Sequence, residues 1–209
     1  ISMPFVLVLD DYQLIQTLSI HKLLNAVMVH QPRQMHLVLI TREDPPFPLP
    51  RLRARGQVTE IRQADLRFTA QECAEFLENV AGLKISKSDI SALEHRTEGW
   101  AAGLQLAVLS MQGRDDIPRF VEEFTGSTRY VLDYLAQEVF ERQSCDVQNF
   151  LLKTSILERL CASLCDAVTE DIGSQELIEK LEHANLFIMP LDQSRTWYRY
   201  HRLFRDLLQ

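Results

Sequence analysis

Three hydrophobic patterns follow one another along the chain. The first is a pair of short, uninterrupted apolar runs, Pro4-Phe-Val-Leu-Val-Leu-Asp10 and Met35-His-Leu-Val-Leu-Ile40. Neither alternates apolar with polar positions, which predicts strands buried on both faces in a parallel sheet under helices. Between them Leu18, Leu23, Leu24, Val27 and Met28 recur at helical spacing. They predict a crossover helix over 17–30 that ends before Pro32. Strand, helix and strand at this spacing make a βαβ unit. Pro45-Pro-Phe-Pro-Leu-Pro50 then reads as a stiff extended loop, followed by a short helix over 52–56 and a last short strand over 58–61.

From Thr69 the pattern turns helical. Thr69 with Glu72 three residues on has the signature of a capping box, in which each residue satisfies a backbone N–H of the other. Helices are expected near 70–80, 87–95, 99–112 and 116–124, with Gly82 stopping the first. A second capped start at Ser127 or Thr128 leads into the amphipathic stretch Tyr130, Val131, Tyr134, Leu135, Val139. Helices near 144–153, 161–168 and 174–183 follow. The third pattern closes the chain: two β-prone runs, 186–190 and 196–200, flank the polar turn 192–195, and a helix over 201–209 comes directly after. Three helices, a hairpin and a packed helix describe a winged-helix unit. The fold class is therefore α/β followed by mainly α, and no internal repeat of 20–50 residues interrupts it.

Composition changes this picture little. The 209 residues are 46% hydrophobic and 24% charged with 7 Gly and 8 Pro, a balance that excludes wholesale disorder. No apolar stretch approaches the ~20 residues of a membrane-spanning helix. The net charge of −7 argues against a stand-alone nucleic-acid binder. The imbalance is local, since residues 1–67 hold 8 basic and 6 acidic side chains. Arg51, Arg53, Arg55, Arg62 and Arg67 supply the basic excess, either as a solvated loop and strand edge or as an anion- or partner-binding surface. Cys73, Cys145, Cys161 and Cys165 are irregularly spaced, which fits reduced, buried thiols in a cytoplasmic protein better than a disulfide framework. Cys161, Cys165 and His183 lack a second ligand pair for a metal.

Charged residues at the ends of the apolar runs carry the candidate chemistry. Asp10-Asp11 follows the first strand in the pattern of a Walker B motif. A carboxylate at the C-terminal end of a buried parallel strand can hold Mg²⁺ beside nucleotide phosphates, and a second can orient the attacking water. Alternatively, the pair is a turn or cap. Arg42 ends the second strand, where a cation can sense a γ-phosphate or else pair with Glu43 or Asp44. His201, between the last strand and the last helix, can present its ring to an anion or be paired in the core.

Six segments occur in one order: Val6-Leu-Val-Leu-Asp-Asp-Tyr12, Leu39-Ile-Thr-Arg-Glu-Asp-Pro-Pro46, Arg51-Leu-Arg-Ala-Arg-Gly56, Ala64-Asp-Leu-Arg-Phe-Thr69, 97–107 (Thr-Glu-Gly-Trp-Ala-Ala-Gly-Leu-Gln-Leu-Ala) and Trp197-Tyr-Arg-Tyr-His-Arg-Leu-Phe204. Together they resemble the maltose-regulator-like branch of the signal-transduction ATPases, large LuxR-type transcriptional activators of bacteria, across essentially the whole chain. The resemblance implies the C-terminal part of a P-loop NTPase domain over 1–66, a helical lid domain over 67–126 and a winged-helix domain over 127–209. It implies that Asp10 assists Mg²⁺ coordination, that Asp11 is the catalytic carboxylate and that Arg42 is the sensor arginine. Gly99-Trp100 resembles the lid motif that lies against adenine, although Ala101 stands where many relatives have Pro. Tyr200-His201 resembles the Met-His-Asp motif whose His touches the ADP β-phosphate, although Arg202 replaces the Asp.

No Gly-x-x-x-x-Gly-Lys-Ser/Thr occurs in the 209 residues, so the phosphate-cradling loop is not in this segment. With Ile1 in place of Met, the chain reads as an internal fragment from Walker B through the winged helix. The function expected of the intact protein is that of a slow ATPase and activator, with ATP/ADP and Mg²⁺ as cofactors. It would self-associate through the NTPase region, take a small-molecule inducer through C-terminal repeats and engage DNA through a helix-turn-helix, both outside this segment, with no membrane partner. The alternatives are a nucleotide-free interaction scaffold and a winged-helix DNA-binding protein.

Overall fold

The structure is a computed structural model that describes residues 3–83, 85–114 and 116–209; Ile1 lies outside the described residues. Two compact units make up the chain. One takes in the chain to Glu60 together with His183–Asn185, and the other takes in Ile61–Glu182 and Leu186–Gln209.

The first unit is the expected βαβ arrangement. Strand β1 (Phe5–Leu9) is joined through helix α1 (Leu18–Val29) to strand β2 (Met35–Leu39). The two strands pair in parallel, with Phe5 opposite Met35 and Leu9 opposite Leu39. Three expectations are corrected here. The strands are not buried on both faces, because this sheet has two strands and leaves Val6, Leu7, Val8 and Val38 exposed. The wider P-loop sheet is therefore not seen among the described residues. Residues 58–61 form no strand, because no ladder partner pairs with them among the described residues. The proline-rich stretch gives way to helix α2 (Leu49–Ala54) earlier than expected. Pro50 sits in its first turn, where the missing N–H costs nothing and φ is already helical.

The second unit is helical and has one continuous core. Helix α3 (Ala70–Glu75) starts at the predicted capping box: Thr69 Oγ1 accepts from the Glu72 N–H, and Glu72 Oε2 accepts from the Thr69 N–H at 2.8 Å. A wider π-type turn over Phe76–Val80 prolongs it. Helices α4 (Lys87–Thr97), α5 (Ala101–Met111), α6 (Ile117–Glu123) and α7 (Arg129–Leu135) follow, the last prolonged by a π-type turn over Ala136–Phe140. Then come α8 (Cys145–Thr154), α9 (Ala162–Thr169) and α10 (Ser174–His183).

The hairpin of β3 (Ile188–Pro190) and β4 (Tyr198–Tyr200) and the final helix α11 (Arg202–Leu208) complete the winged-helix arrangement. Ile188 stands opposite Tyr200 in antiparallel register. Leu160 adds a bridge on the other side of β4, exchanging backbone hydrogen bonds with Tyr198 at 2.8 Å in both directions. The core runs without a break from Cys73 and Leu77 through Leu93, Leu104 and Leu135 to Leu151, Leu203 and Phe204. Helices α4, α5 and α7 thus share their apolar interior with the hairpin and α11. Burying these side chains contributes on the order of 1.5–3 kcal/mol each.

Candidate functional site

In the first unit the parallel register of β1 and β2 sets the residues after both strands on the same rim. Asp10 follows β1 directly. Asp11 takes a left-handed conformation (φ 49°), which Asp tolerates, and starts a short 3₁₀ turn over Tyr12–Leu14. Its N–H donates to Asp10 Oδ1 at 2.8 Å, and its own Oδ1 accepts from Gln13 Nε2 at 2.9 Å. Gln13 Oε1 in turn accepts the Arg42 backbone N–H at 3.1 Å. One side chain therefore ties the turn after β1 to the segment after β2. Tyr12, 1% exposed, anchors the turn from below. Its N–H donates to the Ile40 carbonyl, its hydroxyl meets His21 Nδ1 at 2.6 Å, and its ring lies 5.6 Å from Phe47. Asp10, Asp11 and Arg42 remain exposed on this rim.

Among the described residues no three His, Cys, Asp or Glu side chains gather as a metal site. Mg²⁺ suits a smaller donor set, because it keeps several waters and is held by one or two carboxylates plus substrate phosphates. Asp10 and Asp11 fit that chemistry and would not fit a closed, all-protein cage.

In the second unit a different cluster forms around His201. Helix α4 ends at Thr97, and Glu98 (φ 51°) and Gly99 (φ 70°) both turn left-handed to lead into Trp100 and α5. Gly99 is needed for two reasons. Its φ disfavours a side chain, and a Cβ there would lie 2.4 Å from the Phe68 carbonyl oxygen. The Gly99 carbonyl accepts the Phe68 N–H at 2.8 Å, which locks the turn to the segment ahead of α3. The Trp100 ring lies over Gly103, where a Cβ would come within 2.5 Å of it. It meets Tyr134 at 5.7 Å, Phe187 edge-on at 5.1 Å and His201 edge-on at 5.9 Å.

His201 itself is 2% exposed. Its backbone N–H donates to the Phe187 carbonyl, and its Nε2 lies 3.0 Å from the Thr97 carbonyl oxygen. Nδ1 has no hydrogen-bond partner among the described residues. Burial holds the imidazole below its ordinary value, although the Glu98 carboxylate and the Thr97 carbonyl pull the other way. Glu98, with a side chain only 7% exposed, accepts from Arg199 Nη1 and Nη2 at 2.7 and 2.9 Å. Burial raises its carboxyl, but Arg199, His201 and the Arg202 N–H outweigh that and hold it below the usual carboxylate range. Beside this pair lies a pocket of about 230 Å³ lined by Arg67, Phe68, Glu94, His95, Glu98, Arg199 and Arg202.

Three of the five anticipated residues (Asp10, Asp11, Arg42) thus share a rim in the first unit, and the other two (Trp100, His201) touch in the second. Glu98 and Phe187 escaped sequence reading. Both adopt left-handed backbone, which bulky or charged residues rarely do and which no propensity signals. The basic segment is divided by its pairings: Arg53 bonds Glu60 through two nitrogens, while Arg67 Nη2 rests on the Met189 thioether. Cys73 and Cys165 are buried, and burial pushes their thiols up to about 11 and about 12, the inert state expected. Cys145 is exposed instead.

Comparison with known proteins sets these clusters in context. Residues 136–209 match the family described as the MalT winged helix domain. Over 208 residues, 99% of its length, the chain is 36% identical to the HTH-type transcriptional regulator MalT of Klebsiella pneumoniae subsp. pneumoniae and 33% identical to that of Yersinia enterocolitica. Over 201 residues it is 29% identical to the serine/threonine-protein kinase PknK of Mycobacterium tuberculosis. It spans 23% of the length of these two regulators and 18% of the kinase. No described helix is long and apolar enough to cross a membrane.

Proposed function

The chain is a MalT-like segment with that family's winged-helix domain at residues 136–209, and on that premise we propose that it is the central nucleotide-switch region of an ATP-dependent, LuxR-type transcriptional activator. The reading is supported chiefly by the rim of the first unit, where two carboxylates and an arginine stand at the ends of adjacent parallel strands. Ligands of open α/β sheets bind outside the carboxyl ends of the strands. Similarity to both a transcriptional regulator and a protein kinase also supports it. A segment common to two such outputs performs a task upstream of either.

On this reading Asp10 would hold Mg²⁺, whose charge, when bound, neutralises that of the nucleotide phosphates. Asp11, kept in place by Gln13, would orient the attacking water through its carboxylate. Arg42 places a cation where the γ-phosphate would be sensed. By the family resemblance Trp100 would lie against adenine, and His201 would contact the ADP β-phosphate and hold a closed resting state. ATP and inducer shift the protein to an open, self-associating form, which requires that they bind the two states with different affinities. The winged helix acts as a clamp, and a helix-turn-helix outside this segment reads DNA in a cytoplasmic protein. The acidic balance of residues 68–209, 14 basic against 23 acidic side chains, favours a clamp over a DNA reader.

Asp11→Asn tests the reading in the protein as its gene encodes it. ATP hydrolysis should fall by on the order of 10²-fold or more while ATP stays bound, as measured by single-turnover release of labelled phosphate. Unchanged turnover would remove Asp11 from the reaction.

A further inference from the structure

The contacts of Glu98 bracket His201 along the chain. One carboxylate holds the Arg199 guanidinium two residues before it, and Oε1 also accepts the Arg202 N–H one residue after it, at 3.1 Å. Thr97, next to Glu98, supplies the carbonyl that faces His201 Nε2 and also accepts the Trp100 N–H at 2.9 Å. The turn between α4 and α5 therefore fixes the histidine through its ring and through the residues on either side.

This arrangement decides what each ring nitrogen can do. A nitrogen 3.0 Å from a carbonyl oxygen must carry the proton, so Nε2 is the N–H. Nδ1 then bears a lone pair in the neutral ring and an N–H in the imidazolium. A buried lone pair repels a phosphate oxygen, whereas an N–H donates to it with charge assistance. The charged groups that act on the ring are Arg67 ahead of α3, Arg199 on β4 and Glu98 at the end of α4. The two arginines oppose the imidazolium, and Glu98 is the anion among them.

We propose that Glu98 is the positioning residue for His201: it orients the ring so that Nε2 is spent on the Thr97 carbonyl, and its charge readies Nδ1 to donate to a nucleotide phosphate. The proposal rests on the nucleotide-switch reading and adds a residue that acts on ligand only through His201. Glu98 also accounts for the pattern at Arg202. Where the resembled Met-His-Asp motif carries its acid directly after the histidine, this chain has Arg202, and the carboxylate comes from across the core instead.

ADP release tests this in the protein as its gene encodes it, followed between pH 5 and 8 with a fluorescent ADP analogue. Wild type should release faster as pH rises through the lowered value of the imidazole and the imidazolium is lost. Glu98→Gln should release at least tenfold faster at pH 5 with little pH dependence, and Glu98→Asp, which keeps the charge, should return both to within threefold of wild type. Should Glu98→Gln fail to fold, Glu98→Asp carries the test, and a flat profile in it would overturn the proposal. Faster release by Glu98→Gln with the wild-type pH profile would mean a purely structural role and would also overturn it. Release sensitive to His201→Ala but not to Glu98→Gln defeats this proposal alone. Release indifferent to His201→Ala defeats the nucleotide-switch reading and this proposal together.

Discussion

Gly99 carries two constraints at one position, and removing either is measurable. Ala at this position would take a left-handed φ of 70° and press its Cβ to 2.4 Å from a backbone oxygen that cannot swing away. Strained backbone of this kind costs about 1–3 kcal/mol, so Gly99→Ala should lower the melting temperature by roughly 3–10 °C. Trp100 fluorescence, reporting from beside the substitution, follows the transition directly. An unchanged midpoint would show that the turn relaxes freely and is not the fixed support described for His201. Glu98 is left-handed too, without glycine's freedom. Its strain is offset by Arg199 and the Arg202 N–H, partners 101 and 104 residues away. One sequence contains no signal for such a pairing, which is why sequence motifs singled out Trp100 and His201 but not the residue that joins them.

At the scale of elements, what was legible followed from local chemistry. The capping box at Thr69, the crossover helix and the terminal hairpin each announce themselves within a few residues, and each is present. Expectations missed where an element depends on distant chain. Residues 58–61 carry a β-prone pattern, but a strand needs a partner ladder, and none meets them among the described residues. Leu160 bridges β4 from a loop with no strand signature. The junction between the end of α4 and the β4–α11 corner also sets a pH dependence. His201 sits below its ordinary 6.5, so the unfolded state binds the proton more readily, and stability is lost as pH falls from 6.5 through the lowered value. Glu98 sits below its ordinary 4.5, so its contribution is present above that value and is lost as pH falls through the folded one. Both act in the same direction. Thermal midpoints of the chain should fall from pH 7 to pH 4, and Glu98→Gln should flatten the lower part of that slope. Parallel slopes in the two proteins would contradict the assignment.

For the whole molecule, the sequence predicted α/β followed by mainly α, and the structure is mixed α/β and mostly helical, in two compact units. The α/β part differs most from expectation. Its apolar strands read as buried on both faces, yet the two-stranded sheet leaves Val6 59% and Val8 51% exposed. Hydrophobic run length records the environment a strand is built for, and here the described residues do not supply it. The second unit is the opposite case, since its core continues from the helices at Cys73 and Leu77 to the last helix at Leu208. On the proposed reading His201 would add one charge-assisted contact to bound ADP, worth about 1.5–3 kcal/mol. The most direct test is therefore ADP release from the protein as its gene encodes it, compared between wild type and His201→Ala. Release at least tenfold faster from the variant, together with inducer-independent promoter activity, is what a histidine clamp predicts, and wild-type ADP retention in His201→Ala would contradict it.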